Sequence, residues 1–255
     1  MQLEKNKEGD KDFSVSKLES SVSKFLKTKQ SEVFNNFNDT TIIIPTLNEE
    51  KNISQVIKNC KKYSENIIVV DDSSTDKTQS LAKKAGAKVI NRTGKQKGLT
   101  ASVLEGIKTV KTKYFIVIDG DGQHDSTKIP EITKKLKNNQ IVVGVRSAVP
   151  GWPWHRRLMS WIAELIGKIR LAFTGTKSED LLSGFFGAKT EYVKKYVEQH
   201  EKVFVKEGYK VLFDILKHSR NIKIGEIEYV FQERMGGKSK IGKKQILGFL
   251  KSLVK

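Results

Sequence analysis

Two carboxylates one residue apart, Asp119 and Asp121, follow an apolar, β-rich run over Tyr114–Ile118. Such a run is typical of a buried parallel strand. Like charges this close repel and raise each other's pKa, and a bound divalent cation removes the repulsion. Mg²⁺ prefers oxygen ligands and commonly binds one or two carboxylates together with substrate phosphates. Gly120 and Gly122 let a ligand approach the backbone. The stretch therefore predicts a metal–diphosphate site; the alternative is an acidic surface turn.

The elements around this stretch are predicted to alternate between strands and helices. Apolar runs bounded by polar turns predict the strands, and apolar residues spaced three and four apart predict the helices. The predicted strands are Thr41–Ile44 (stopped by Pro45), Asn66–Val70, Ala87–Ile90, Tyr114–Ile118 and Ile141–Val145. The predicted helices are Glu49–Tyr63 (with Asn48 as N-cap), Thr75–Ala85, Lys97–Val110 and Thr127–Lys137. This alternation favours an α/β fold whose mostly parallel sheet carries helices on both faces.

Four polar clusters follow predicted strands: Pro45–Glu49, Asp71–Ser74, Asp119–Gln123 and Arg146. Ligands of such sheets bind at the carboxyl ends of the strands, so the clusters should share one edge. This convergence is more specific than any single motif, and it favours a ligand site over a surface turn.

The composition limits the class of protein. The chain has 255 residues, 37% of them hydrophobic, which is enough for one α/β domain with a sizeable core. No stretch has the length and apolarity of a membrane span, and no signal peptide is recognised. The single cysteine, Cys60, excludes an internal disulfide and fits a reducing, cytoplasmic location. The net charge of +18 suggests an anionic partner: a lipid surface, a nucleic acid or a phosphorylated substrate.

Short motifs recur in a fixed order along the chain. They are Ile42–Glu49 (IIIPTLNE), Val69–Ser74 (VVDDSS), Lys97–Leu99 (KGL), Asp119–His124 (DGDGQH), Val143–Arg146 (VGVR), Ser183–Phe186 (SGFF) and Glu233–Lys240 (ERMGGKSK). Between about Thr41 and about Phe249 the sequence resembles family 2 glycosyltransferases, and within them the dolichol-phosphate mannosyltransferases and related polyprenyl-phosphate glycosyltransferases. The resemblance implies a Rossmann-like nucleotide-sugar fold of the GT-A type, a DxD site for Mg²⁺ or Mn²⁺, and an inverting transfer.

The resemblance also implies a role for each matched residue. The nucleoside pocket would be lined by Pro45, Leu47 and Glu49 and closed by Val70 and Asp72. The metal and diphosphate would be held by Asp119, Gly120, Asp121 and Gln123. Arg146 would reach the phosphates at the reaction centre. Arg156 and Ser160 would bind the lipid phosphate. A basic loop with Arg234 and Lys240 would cover the donor.

Other positions leave alternatives open. Asp180 lies near where sugar-acceptor members of the family carry a general base, but it could instead bind sugar hydroxyls or be structural. His124 could touch the metal site, orient a ligand or only shape the loop. Leu47 replaces a tyrosine common in the family, and Gly120 and Gly122 stand where the mannosyltransferases usually have Ala and Leu. These departures leave the sugar and the base open.

The predicted reaction is metal-dependent transfer of a hexose from a nucleotide-diphosphate sugar, with GDP-mannose favoured, to dolichyl or polyprenyl phosphate. A metal on Asp119 and Asp121 would stabilise the leaving diphosphate, and the acceptor is already anionic, so no general acid or base is required. In-line displacement would invert the anomeric centre. One alternative is another donor (UDP-glucose or UDP-GlcNAc), and another is a hydroxyl acceptor, which requires a base. A nucleic-acid-binding module, suggested by charge alone, would leave the strand-end clusters unexplained, so we expect no nucleic-acid partner.

Apolar stripes flanked by basic residues predict contact with the cytoplasmic face of a membrane. One stripe, preceded by Trp152 and Trp154, is Leu158, Trp161, Ile162, Leu165, Ile166 and Ile169; the other is Ile246, Phe249, Leu250, Leu253 and Val254. Basic helices with an apolar face and aromatic neighbours can lie in a bilayer surface. The alternative is that both helices pack on the domain core.

The chain divides into three predicted parts. Residues 1–39 are polar, and we expect a mobile segment with one stretch of helical spacing at Leu18, Val22, Phe25 and Leu26. That stretch is either a docking or membrane-lying helix or a marginal helix in solvent. Residues 40–233 are the predicted glycosyltransferase catalytic domain. Residues 234–255 hold seven basic residues and no acidic one, and we expect a lid loop followed by an amphipathic helix.

Overall fold

The structure is a computed structural model that describes residues 17–18, 20–24, 38–94, 97–172, 174–205, 208, 210–217, 219–234 and 236. Residues 17–18 and 20–24 are helical, as the apolar spacing predicts, and Leu18 and Val22 are exposed there. The predicted C-terminal amphipathic helix, Phe25, Leu26 and Lys240 lie outside the described residues. Within them, no helix has the length and apolarity needed to cross a membrane.

The described strands form one mixed sheet. They are β1 (Thr40–Thr46), β2 (Asn66–Asp71), β3 (Lys88–Asn91), β4 (Tyr114–Val117), β5 (Ile141–Ala148), β6 (Phe186–Lys189) and β7 (Ile224–Val230). Their order across the sheet is β3-β2-β1-β4-β6-β5-β7. β6 is antiparallel to both of its neighbours, and the other pairs are parallel. The predicted mostly parallel α/β sheet is confirmed.

Helices cover both faces of the sheet. They are α1 (Ile53–Cys60), α2 (Thr78–Lys84), α3 (Leu99–Thr109), α4 (Ile129–Leu136), α5 (Trp154–Ala172), α6 (Thr190–Gln199) and α7 (Val211–Leu216), with short 3-10 turns at Ser126–Lys128 and Glu201–Val203. Successive strand side chains point to opposite faces. Ile42 and Ile44 accordingly pack with α1 and α4, whereas Ile43 packs with α3, α6 and α7.

Two strands run further than the sequence predicts. Pro45 lies within β1 rather than stopping it, opposite Val70 of β2. A proline removes a ladder donor only on the side that its nitrogen faces. That side faces β4, whose pairing with β1 has already ended at Ile43, so no hydrogen bond is lost. Arg146 likewise lies inside β5, which continues to Ala148, and not after the strand.

Helix starts are later than the sequence predicts. α1 begins at Ile53, and Asn48 is not its N-cap. Asn48 instead has a positive φ of 51°, and its side-chain oxygen accepts a hydrogen bond from the Thr75 N–H at 2.8 Å. α2 begins at Thr78, because the Asp76 carboxylate accepts from the Thr78 N–H and holds the preceding residues in a turn. Both loops therefore remain at the sheet edge, where they tie β1 to β2.

The antiparallel β6 brings a further loop to the functional edge. β1, β2, β4 and β5 all end there, whereas β6 begins there, so the segment 180–185 enters the same edge from the opposite direction. Neither β6 nor β7 was predicted from the sequence. The edge therefore receives polar groups from more segments than the four predicted clusters.

Candidate active site

Asp119 and Asp121 lie at the carboxyl end of β4, as predicted. The Asp119 N–H donates to Nδ1 of the buried His124 at 3.0 Å, and the Gln123 N–H donates to Oδ1 of Asp121 at 3.0 Å. Gly122 has a φ of +80°, a backbone conformation that residues other than glycine rarely adopt. A Cβ on Gly120 would lie 2.8 Å from the Thr46 methyl group, so only glycine fits beside β1. The turn is thus built around the two carboxylates.

The two carboxylates differ from ordinary surface acids. Burial raises the pKa of Asp119 to about 6. Burial, and then the neighbouring Asp119, raise the pKa of Asp121. Oδ1 of Asp119 is buried and has no hydrogen-bond partner. A buried carboxylate oxygen without a donor is costly, and a divalent cation would satisfy it. These residues therefore fit the predicted Mg²⁺ or Mn²⁺ site.

The metal would need oxygens beyond these side chains. In the described part of the chain, no group of three or more His, Cys, Asp or Glu side chains is arranged to hold a metal ion. Two carboxylates with phosphate oxygens of a substrate are an ordinary ligand set for Mg²⁺.

His124 positions Asp119. Burial lowers the pKa of the imidazole to about 4, so the ring is neutral near pH 7. Because Nδ1 accepts a hydrogen bond, the proton of the neutral ring is on Nε2, which lies 3.7 Å from Oδ2 of Asp119. The ring stacks on Phe185 and meets the edges of Tyr229 and Phe231. Of the interpretations left open for His124, orientation of a ligand residue fits this geometry.

Arg234 joins the two sides of the predicted donor site. Its guanidinium donates to Glu49 at 3.0 Å and to Oδ2 of Asp121 at 2.7 Å. Asn52 donates to both Glu49 and the Gly236 carbonyl oxygen, which holds the start of the predicted lid against the loop after β1. Asn52 was not identified from the sequence, because its contact with Gly236 joins residues that are distant in the chain.

Gln123 also fastens this segment. Its side-chain amide donates to the Gln232 carbonyl oxygen at 2.9 Å, and the Gln232 N–H donates to the Gln123 carbonyl oxygen at 2.9 Å. The Gln123 amide nitrogen is thus engaged with protein backbone beside the predicted metal site.

Of the residues predicted to form the nucleoside pocket, one is exposed and the others are buried. Leu47 is 37% exposed, whereas Pro45 and Glu49 are buried. Val70 is fully buried among core residues. Asp72 accepts hydrogen bonds from the Gly98 N–H at 2.8 Å and from Arg92. Arg92 was missed from the sequence, since nothing local links it to Asp72.

Arg146 and Asp180 form a bidentate ion pair. Nε and Nη2 of Arg146 donate to the two carboxylate oxygens at 2.6 and 2.8 Å. Burial alone would raise the pKa of Asp180, but the hydrogen bonds and charge of Arg146 outweigh it, and the pKa lies below its ordinary value. Of the alternatives left open for Asp180, the structure shows it as the anchor of Arg146.

The loop 180–185 is held by side chains from several elements. Glu164 of α5 accepts from the Leu181 N–H at 2.8 Å, and Lys210 donates to the Leu182 carbonyl oxygen. A Cβ on Gly184 would lie 3.3 Å from Oδ2 of Asp119, so the loop passes directly beside the carboxylates. Burial raises the pKa of Glu164 to about 7 and lowers that of Lys210 to about 8. Neither residue was identified from the sequence.

Arg156 and Ser160 lie one helical turn apart on α5, and both are partly exposed. The guanidinium carbon of Arg156 lies 4.1 Å from the centroid of the Trp152 ring, and that of Arg146 lies 5.6 Å from the same centroid. The structure therefore brings Arg146 and Arg156 to one aromatic ring at the edge that also carries Asp119 and Asp121.

Residues 41–197 match the family model described as glycosyl transferase family 2. The chain belongs to this family. It is 34% identical over 226 residues to the dolichol-phosphate mannosyltransferase of Pyrococcus furiosus, an alignment that covers 84% of this chain and 62% of that protein. The chain thus spans less than two thirds of that relative's length. It is 28% identical to the dolichol-phosphate mannosyltransferase of Saccharomyces cerevisiae, covering 84% and 85% of the two chains.

A solved structure has the same fold. Glucosyl-3-phosphoglycerate synthase from Mycobacterium tuberculosis superposes with a TM-score of 0.61 at 18% identity, covering 84% of this chain and 80% of that one. Its complex with Mg²⁺ and uridine diphosphate superposes with a TM-score of 0.58. The fold is therefore of the GT-A type, and the interpretation of the chain as a glycosyltransferase is confirmed.

Proposed function

We propose that this glycosyltransferase moves a hexose from a nucleoside-diphosphate sugar to a polyprenyl or dolichyl phosphate, with inversion at the anomeric carbon. The observation that carries the choice of acceptor is the engagement of Asp180. A hydroxyl acceptor needs a general base, and Asp180 is the candidate. Its two oxygens already bind Arg146, and its lowered pKa makes it a weak base. A phosphate acceptor is already anionic and needs no base.

The donor would bind at the carboxyl ends of β1, β2 and β4. Asp119 and Asp121 would hold Mg²⁺ or Mn²⁺, which when bound supplies positive charge to the diphosphate leaving group. Arg234, which is paired with Asp121 and Glu49, would lie beside the same diphosphate and add a second positive charge. The names of the curated relatives favour mannose as the sugar, and we propose GDP-mannose as the donor. The structural neighbour solved with uridine diphosphate makes UDP-sugars the alternative donors.

The acceptor phosphate would bind on the α5 side of the edge. Arg146 and Arg156 present planar guanidinium groups, which suit two-point binding of phosphate. The apolar stripe of α5 faces outward: Leu158, Trp161, Ile162, Leu165, Ile166 and Ile169 are between 39% and 62% exposed. An exposed apolar helix face flanked by Arg157, Lys168 and Arg170 supports peripheral attachment to an anionic, cytoplasmic membrane surface. The acceptor's prenyl tail would then lie in that membrane.

A donor screen tests this function. The purified chain is incubated with a short polyprenyl phosphate, Mg²⁺ or Mn²⁺, and GDP-mannose, UDP-glucose or UDP-GlcNAc in turn. We expect one donor to give a prenyl phosphate sugar. Asp121→Asn, a variant of nearly the same size, should lower the rate roughly 100-fold because charge on the leaving group is less stabilised. Transfer to a sugar hydroxyl but to no prenyl phosphate would contradict the proposal.

A further inference from the structure

Trp152 contacts both of the arginines proposed to bind the acceptor. Its ring centroid is 4.1 Å from the guanidinium carbon of Arg156 and 5.6 Å from that of Arg146. Its ring also meets Phe231 edge to face at 5.7 Å. From the sequence, Trp152 and Trp154 were both predicted to flank a membrane-contacting helix. The structure separates them, because Trp154 is 75% exposed and Trp152 is partly buried.

We propose that Trp152 is a positioning residue that holds Arg146 and Arg156 at the spacing needed to grip one phosphomonoester. This inference rests on the proposed function, since the phosphomonoester would be the head group of the prenyl acceptor. Two guanidinium groups placed close together repel, and the negative face of an aromatic ring offsets that repulsion. Arg146 is also fixed by Asp180, so the ring ties Arg156 on α5 to an anchored partner.

The backbone and the aromatic neighbours fix the ring. Gly151, directly before it, has a φ of +73°, and the Trp152 N–H donates to the Val149 carbonyl oxygen at 3.3 Å, which makes a tight turn between β5 and α5. Phe231 contacts both Trp152 and His124, each at 5.7 Å, and His124 accepts from the Asp119 N–H. A continuous packed path therefore sets the distance between the arginine pair and the metal carboxylates.

The expected cost of losing the ring is a weaker grip on the acceptor with an unchanged donor site. Preorganised contacts raise affinity by lowering the ordering cost of binding. Cation–π contacts of this kind correspond to roughly 2- to 30-fold in binding. Trp152→Met keeps apolar volume but removes the ring, and we expect KM for a short, water-soluble prenyl phosphate to rise roughly 10-fold. Trp152→Phe, which keeps a ring, should stay within about 3-fold of the parent.

The donor KM and the binding of free nucleotide are measured for the same variants and should not change. Trp154→Met is the matched control, with the same exchange two residues away, and should leave the acceptor KM unchanged because the soluble acceptor removes any membrane contribution. Binding of the prenyl phosphate is also followed by calorimetry without donor. A parallel rise in donor and acceptor KM would show a merely structural role and overturn the inference.

The calorimetry separates this inference from the proposed function. Prenyl phosphate that binds the parent and binds Trp152→Met more weakly supports the positioning role even if no sugar is transferred. Equal binding by the two proteins, or no binding by the parent, overturns it. If Trp152→Met does not fold, the emission of Trp152 is followed in a Trp154→Phe/Trp161→Phe protein. Added prenyl phosphate should change that emission, and an unchanged emission overturns the inference.

Discussion

At the scale of residues, the Arg146–Asp180 pair is the observation on which the proposed phosphate acceptor rests. A buried, bidentate pair is of little net value to stability, but removal of one partner leaves an uncompensated charge. Arg146 lowers the pKa of Asp180 in the folded protein below the ordinary aspartate pKa of 3.8. The pH-dependent contribution of this pair to the free energy of unfolding is therefore fully present above pH 3.8, and it is lost only as the pH falls through the lower pKa of the folded state.

Arg146→Met should therefore lower the free energy of unfolding at pH 7 by about 3–5 kcal/mol, measured by urea denaturation. Without Arg146, burial raises the pKa of Asp180. The difference in free energy of unfolding between the variant and the parent should therefore shrink as the pH falls and Asp180 becomes protonated in the variant. The double variant Arg146→Met/Asp180→Asn should recover most of the loss. A double variant as unstable as the single one, or a loss independent of pH, would contradict this account.

Site residues that are close together in the sequence could be predicted. Site residues whose partners are distant in the sequence could not. Asp119 and Asp121 stand one residue apart after an apolar strand, and their spacing alone indicates the chemistry. Glu164 reaches Leu181, and Arg92 reaches Asp72, only because the fold brings distant segments together. No local pattern encodes such a pairing. Trp152 was found from the sequence, but its contacts with the arginines depend on the turn after β5.

At the scale of elements, α5 combines an outward apolar stripe with a row of polar residues on another face. Arg156, Ser160 and Glu164 recur four residues apart, and Glu164 contacts the loop that carries Asp180. Deeper along the helix, Gly167 and Leu171 are buried. One helix therefore carries both the proposed membrane face and the proposed acceptor-phosphate residues.

Membrane attachment through α5 predicts sensitivity to its exposed apolar residues and to salt. Trp161→Gln/Ile169→Gln should weaken co-sedimentation with vesicles of anionic lipid roughly 10-fold or more, because both side chains would leave the apolar part of the interface. Lys134→Gln/Lys137→Gln changes one lysine of α4 and the lysine directly after it, at the other face of the sheet. This variant removes charge without touching the stripe and should have a much smaller effect. Equal loss in both variants, or no binding of the parent at low salt, would rule out α5 as the contact.

Element prediction succeeded where patterns were long and failed where they were short. β1, β2 and β4 are continuous apolar runs, and their alternation with helices fixed the fold class. β6 has four residues and includes Gly187, so neither length nor alternation distinguished it from a loop. Its antiparallel direction is what brings Asp180 to the edge, which is why the role of this residue stayed open until the topology was known.

At the scale of the whole molecule, one edge of a GT-A sheet carries two charged regions of different character. Asp119 and Asp121 form an acidic pair that fits a metal, and Arg146 and Arg156 form a basic pair on the α5 side that fits a phosphate. The proposed transfer from a diphosphate donor to a phosphate acceptor would bring two anions together, and this division would place a cation beside each of them. The net charge of +18 is consistent with anionic substrates and an anionic surface.

Metal-dependent nucleotide binding at Asp119 and Asp121 is the claim on which the rest depends, and calorimetric titration of GDP and UDP with and without Mn²⁺ tests it most directly. We expect at least one nucleotide to bind the parent in the presence of Mn²⁺, with binding weakened roughly 10-fold or more by chelation and by Asp119→Asn or Asp121→Asn. Glu131→Gln, on the exposed surface of α4, should bind as the parent does. Equal affinity in all the variants, or nucleotide binding that ignores Mn²⁺, would contradict the account.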